Sequence, residues 1–439
     1  PGGPVQHRPG DDSKHGTNSM HEGLDVFAFD NPDEAIAALA EPLTPVGIEP
    51  TPSEDQPIDP LGRVLAENVL ADRDSPAADV SAMDGYACIK QTLACTGDIP
   101  VVGLSPAGAA PPDVSYEALE RGVVRIFTGG LVPTHADRVI RREDTIESSG
   151  EGQDVIQWLD PALTTPAGHN IRHAGENLAA GKGVVQAGQI LGAFELAAMA
   201  NFGVTRPAVH RRVRVAVLTT GDELIPPEQS GPIQPWQLRN SNAVAISGLL
   251  QSLPFVETEV QPYAADLLDQ LGRQIADLLD SFDALILTGG VSMGDHDFVP
   301  AAVQAIGAKT IFHRLPIRPG KPILGAIVQH GDTTKPILGL PGNPVSATLQ
   351  TIRFVIPVLR RLSGQHDWQA RPASIHLNDP GEKTLPLHWQ RCVRIRSDGK
   401  ADLVIGKGSG DVTSLVGVEG FVECPPNQTG TGPWPFYRV

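Results

Sequence analysis

Four stretches of the chain bring together residue types that could do chemistry. In TTGDEL at 219–224, Asp222 and Glu223 are neighbouring carboxylates behind an apolar run. Two such acids can hold Mg2+ alongside a substrate phosphate, because magnesium takes one or two protein carboxylates and keeps several waters. By spacing alone the same residues fit better as the cap and acidic first turn of a helix. In TGGVSMGDHDF at 288–298, Gly289 and Gly290 let the backbone approach a ligand closely, while Ser292, Asp295, His296 and Asp297 crowd the same turn. Asp297 could then bind a metal or a ligand amino group; a plain turn with capping aspartates and a solvated His296 is the alternative. RPGKP at 318–322 sets Arg318 and Lys321 in a proline-stiffened loop, which favours an oxyanion or phosphate partner over ordinary solvated charge. In LPGNPVSA at 340–347, Pro344, Val345 and Ser346 open an amphipathic helix, where unpaired N–H groups and the helix dipole attract anions.

Three of these loops fall within 284–347 and each adjoins an apolar run, so buried strands are expected to deliver them to one site. VRVAVLTT at 213–220 reads as a strand buried on both faces. NSNAVAISGLLQSL supplies polar cap candidates and an apolar stripe. Leu267, Leu268, Leu271, Ile275, Leu278 and Leu279 recur at helical spacing ahead of the strand DALILTGG. Strand, helix, strand, helix over 209–364 predicts a doubly wound α/β domain with its ligands at the carboxyl ends of the strands. Upstream, IPVVGL, GVVRIF, DRVIR and DVIQWL are short β-branched runs separated by turn residues, predicting an inserted β domain over 76–170. The flanking pieces 24–75 and 171–208 are expected to form one split N-terminal domain. They contain an Asn31–Pro32 helix start followed by Ala35, Ile36, Ala38 and Leu39, a helical pattern in LGRVLAENVLAD at 61–72, and a helix over 195–201 stopped by Gly203. Short apolar runs after Gly364 predict a small barrel-like β domain over 365–439. Residues 1–23 are polar and aperiodic, and read as a disordered extension or tag.

Composition narrows the function. With 34 basic and 51 acidic residues in 439, the net charge of −17 opposes binding to a nucleic-acid backbone. A small anionic substrate then needs local cations, helix N-termini or a metal. No apolar run approaches the roughly 20 residues of a membrane span, and nothing resembles a signal peptide, so a soluble cytoplasmic protein is expected. Cys88, Cys95, Cys392 and Cys424 form no CxxC pair, which argues against a disulfide framework or a zinc site. GxxxxGK[ST], GxSxG and HExxH are all absent, arguing against a P-loop NTPase, an α/β hydrolase and a zincin.

Taken in order, SAMDGYA at 81, TGGLVPTHADRVIRRED at 128, NIRHAGEN at 170, TTGDEL at 219, GGVSMGDHDF at 289, PGKP at 319 and LPGNPVSA at 340 resemble the MoeA family of molybdopterin molybdenumtransferases. The resemblance spans most of the chain. It implies a four-domain homodimer whose central domain binds molybdopterin, with the site completed by the β domain of the partner subunit. It also implies conversion of adenylylated molybdopterin and molybdate to molybdenum cofactor and AMP with Mg2+, and transient contacts with a molybdopterin adenylyltransferase and apo-molybdoenzymes. Molybdate is a tetrahedral dianion suited to Arg318, Lys321 and Ser346. Carried over by motif, the catalytic set is Asp84, Thr128, Glu223 and Asp297, with Glu223 and Asp297 as metal carboxylates. The substrate-binding set is Thr220, Gly221, Asp222, Ser241, Asn242, Gly289, Gly290, Ser292, Asp295, Arg318, Lys321, Pro341, Gly342, Asn343, Pro344 and Ser346. The chain departs from the family pattern at Asn177, Asn240 and Ala265, where acids are usual; Asp266 stands one residue after the last. These departures motivate a second reading, a noncatalytic molybdopterin-binding or scaffold protein. A third, adenylylation of molybdopterin by the central domain, is opposed by the additional β domains and by Asp84 and Thr128.

Overall fold

The computed structural model describes residues 27–49, 59–149, 152–263, 267–292 and 297–439. The stretch 1–23, Ala265, Asp266, Asp295 and His296 lie outside the described residues. The central sheet has six strands in the order Val256–Val260, Val213–Thr219, Ala284–Thr288, Thr333–Leu340, Leu324–His330 and Lys309–His313. The first four run parallel, as the alternation of strands and helices predicts, and the last two are antiparallel to their neighbours. Every residue of Ala284–Thr288 is buried, as a parallel strand covered on both faces must be. Ser241–Gln251 and the helix that follows Asn343 cover one face; Leu268–Ser281 and Val299–Ala305 cover the other.

The helix Pro32–Ala40 begins at the predicted cap, Asn31 accepting a hydrogen bond from the Asp33 N–H at 2.9 Å. Its Ile36 and Leu39 are buried in the core of the central domain. The helical pattern at 61–72 does not form a helix. Val64 and Leu65 bridge to Ile190 and Val209, and Val69–Leu70 pairs antiparallel with Gly183–Val185. Leu65, Val69, Val185, Leu191 and Met199 thereby share one small core, and that long-range burial overrides the local helical preference.

All four β-branched runs predicted between 99 and 158 are strands of a second six-stranded sheet, ordered Arg138–Arg141, Gly85–Cys88, Val123–Ile126, Ile99–Ser105, Asp154–Trp158 and Thr145–Ser149. Alternation puts Tyr86, Cys88 and Ile140 in the core on one face, and Ala87, Ile89 and Val139 in the core on the other.

A third sheet is built from the C-terminal strands His388–Ile395, Gly420–Cys424, Trp434–Arg438 and Ala373–Ile375. Its edge strand, Ile317–Arg318, belongs to the central domain and pairs parallel with His388 and Trp389. The RPGKP loop is therefore held by two domains. The helix after Asn343 runs from Pro344–Gln350 through a π-helical segment, Thr351–Val355, into Ile356–Leu362. It was expected to be amphipathic, yet 345–355 is buried throughout. The reason is that the central sheet packs on one side, while Phe421 and Tyr437 of the C-terminal sheet pack on the other.

Candidate functional site

Strand register aligns the carboxyl ends of the central strands, with Thr219 opposite Thr288 and Thr288 opposite Leu340. Two asparagines at the start of the helix Ser241–Gln251 tie these ends together. Asn240 accepts from the Ala243 N–H at 3.1 Å, a standard N-cap, and its amide donates to Thr219 Oγ1 at 2.7 Å. Asn242 donates to Thr288 Oγ1 at 3.0 Å and to the Gly342 carbonyl at 2.8 Å, while Thr288 Oγ1 donates to the Pro341 carbonyl at 3.1 Å. Thr220, Asn242, Gly289 and Gly342 thus meet at one rim. Gly289 has φ +92°, and a Cβ there would lie 2.4 Å from the Thr220 carbonyl oxygen. Only glycine fits so close a crossing. Thr220 Oγ1 and the side-chain oxygen of Asn242 are buried there with no hydrogen-bond partner among the described residues. Buried polar atoms of this kind are costly unless a ligand or water satisfies them.

TTGDEL does not start a helix. Leu224–Ile225 pairs with Leu238–Arg239, and the next helix begins only at Ser241, because Pro226 and Pro227 would fall inside the first turns and block its hydrogen bonds. Asp222 and Glu223 are left on an exposed loop, and the Glu223 carboxylate folds back so that a Cβ on Gly221 would come within 2.7 Å of it. Asp297 is partly buried just before Val299–Ala305, and Ser292 is exposed. Among the described residues no three His, Cys, Asp or Glu side chains cluster as a self-sufficient metal site. Magnesium does not require one, since water and phosphate oxygens complete its shell, and Glu223 and Asp297 are carboxylates of the right kind.

Beyond Pro341 the rim opens into a cavity of about 640 Å³ lined by Arg318, Lys321, Pro341, Asn343 and Ser346 from the central domain, and by Trp389, Gln390, Arg391, Ser409 and Ser414 from the C-terminal domain. Among the described residues Arg318 has no ion-pair partner. Arg391 stacks over the Trp389 ring, 4.4 Å from its centroid. The helix start at Pro344 is less open to anions than expected, because the Val345 N–H donates to the Ser409 carbonyl at 3.1 Å. Ser346 is almost fully buried at the cavity wall.

Asp84 and Thr128 stand together in turns of the second sheet, just before Gly85–Cys88 and just after Val123–Ile126. Asp84 Oδ1 accepts from both the N–H and the hydroxyl of Thr128, each at 2.8 Å. Those two bonds, the backbone one foremost, hold the carboxyl below the usual range, so it stays charged. Asn177 is committed locally, accepting from Arg172 and donating to Ser75 Oγ at 3.3 Å.

Residues 31–203 match the MoeA N-terminal region (domain I and II), and 216–361 match the Probable molybdopterin binding domain. A molybdopterin molybdenumtransferase from Nostoc sp. is 34% identical over 69% of this chain and 67% of its own length; one from Synechococcus elongatus is 34% identical over 74% and 79%. The chain belongs to the molybdopterin molybdenumtransferase family. A solved MoeA protein from Pyrococcus horikoshii OT3 shares the fold, with TM-score 0.72 at 22% identity over 92% of this chain and 98% of that one. The C-terminal wall of the cavity lies outside the motifs that carry the family resemblance. The one signal available was HWQRCVRI at 388–395, where a tryptophan and cations alternate along a strand.

Proposed function

We propose that the chain inserts molybdenum into molybdopterin, converting adenylylated molybdopterin and molybdate to molybdenum cofactor with release of AMP. The observation that carries this is a cavity lined by Arg318, Lys321, Arg391 and Ser346 in a protein of net charge −17. Local positive charge in an acidic chain suits a small oxyanion, and the Pro341–Asn343 turn joins the cavity to the strand-end rim. There, Thr220 Oγ1 and Asn242 Oδ1 have unused hydrogen-bonding capacity for the pterin, and Gly289 allows its close approach. In this reading Arg318, Lys321 and Arg391 hold molybdate against the dithiolene. Glu223 and Asp297 would hold Mg2+, which when bound neutralises phosphate charge. The chain acts as a homodimer, and Asp84 with Thr128 completes the partner's site, a charged acid fixed by its threonine.

The test is AMP release from adenylylated molybdopterin, run with molybdate, with tungstate and with neither, in the presence and absence of Mg2+. Release is expected only with oxyanion and divalent metal. Lys321→Ala and Asp297→Asn should each lower it at least tenfold, the scale on which removal of a charged site group acts. Tight pterin binding without turnover would instead support the scaffold reading that Asn177, committed to Arg172 and Ser75, motivates.

A further inference from the structure

We propose that Gln350, which does not line the cavity, is a positioning residue for oxyanion binding: with Gln390 it sets the place of the loop that carries Arg318 and Lys321. The inference rests on the reading of that cavity as the oxyanion site.

Gln350 and Gln390 are buried in the seam between the central and C-terminal domains. The Gln350 amide donates to the Pro319 carbonyl at 2.9 Å and to Gln390 Oε1 at 2.7 Å; the Gln390 amide donates to Glu423 Oε2 at 3.2 Å. Arg353 closes the series, donating to Glu423 through Nε at 3.0 Å. Its direction is fixed at both ends, because the Pro319 carbonyl and the Glu423 carboxylate can only accept. Turning the Gln350 amide over would set its oxygen against both Pro319 O and Gln390 Oε1. The loop is equally constrained from its other side, where the N–H groups of Leu315 and Ile323 both donate to the Lys321 carbonyl at 3.0 Å. Contact at Gly320 is tight enough that a Cβ, at φ +104°, would come within 2.5 Å of Gln350 Nε2.

Gln350 also lies one helical turn beyond Ser346, so the helix that gives Ser346 to the cavity sets the position of the facing loop. The spacing between Ser346 and the loop cations is thereby determined by a residue that does not touch the ligand. An oxyanion held by several groups at once is sensitive to such spacing.

Gln350→Met keeps the side chain's length and removes both donated bonds. Titration of the whole protein with sodium molybdate by calorimetry should show affinity weakened about tenfold, the effect of roughly one net hydrogen bond. In the AMP-release assay, half-saturating molybdate should rise by a similar factor, with the maximal rate within about twofold of wild type. Gly320→Ala, which pushes the loop off an intact amide, should behave alike and serves if Gln350→Met does not fold. Wild-type molybdate affinity in both variants, with Lys321→Ala weakened, would overturn the positioning role and leave the oxyanion reading standing. A lowered unfolding temperature with unchanged molybdate affinity would likewise overturn it, as a purely structural effect. Absence of molybdate binding by the wild-type protein would remove the cavity reading itself.

Discussion

Two buried polar regions, one at the strand ends around Thr220 and Asn242 and one around Gln350 on the helix that begins at Pro344, are built on opposite principles. At the strand ends, polar atoms are placed without being fully used: among the described residues Thr220 Oγ1 and Asn242 Oδ1 have no partner, and Gly289 leaves room for the backbone crossing beside them. In the seam below Gln350, donors and acceptors are matched in series through Gln350, Gln390, Glu423 and Arg353, with His388 Nδ1 3.7 Å from Glu423. Asp33 adds a second carboxylate at 2.7 Å from Arg353, and among the described residues Arg353 Nη1 is the one buried side-chain group of this series without a partner. Unspent hydrogen-bonding capacity suits a site that must accept a ligand. Spent capacity suits a joint between two domains, where each missing partner leaves a desolvated group uncompensated.

The contrast breaks most sharply if one ion of the joint is removed. Arg353→Met leaves the buried Glu423 carboxylate without its guanidinium and should cost about 3–5 kcal/mol of stability, read by denaturant unfolding; Glu423→Gln leaves Arg353 with Asp33 alone and should cost less. Burial pushes the Glu423 carboxyl up, but the His388, Arg353 and Gln390 contacts outweigh it and hold its pKa at about 2. A depressed acid contributes stability that is full above its unfolded pKa of about 4.3 and fades as pH falls through the folded value. The difference between wild type and Glu423→Gln should therefore be constant above about pH 5 and shrink between about pH 4 and 2. At the strand ends the damage should take another form. Gly289→Ala forces a Cβ against the Thr220 carbonyl at positive φ, and should cost about 1–3 kcal/mol by overpacking. It should also abolish measurable pterin binding, because the crossing that opens the rim would be displaced.

The same contrast explains what could be read from the sequence. The strand-end loops were legible because their needs are local: glycine for close approach, asparagine for a cap, proline at a helix start. Gly289, Asn240 and Pro344 each stand where such a need predicts. The seam was not legible, since Gln350, Gln390 and Glu423 are common residues with no local signature. Gln390 and Glu423 face each other across two strands of the C-terminal sheet, and Gln350 meets them only where that sheet packs on its helix. For the same reason 61–72 misled, because Val64 and Leu65 take partners more than a hundred residues away that no helical period encodes. TTGDEL misled in the opposite sense, its acids resembling a cap while Pro226 and Pro227 already excluded the helix.

The smallest expected effect sharpens the comparison at Asn240, where the motif resemblance implies an acid. Asn240 uses its oxygen as an N-cap and its amide as a donor to Thr219 Oγ1. Aspartate keeps the cap, adds favourable charge at a helix N-terminus, and can accept from the Thr219 hydroxyl once that proton turns toward it. Asn240→Asp should therefore change stability by no more than about 0.5 kcal/mol. Any change in AMP release then reports on the site rather than on the fold. A rise would mean that the neutral residue lowers this enzyme's activity; an unchanged rate would mean that capping and tethering Thr219 are all that the position contributes. A stability loss above about 1 kcal/mol, comparable to a lost cap, would place Asn240 with the seam, among groups whose bonds are already spent.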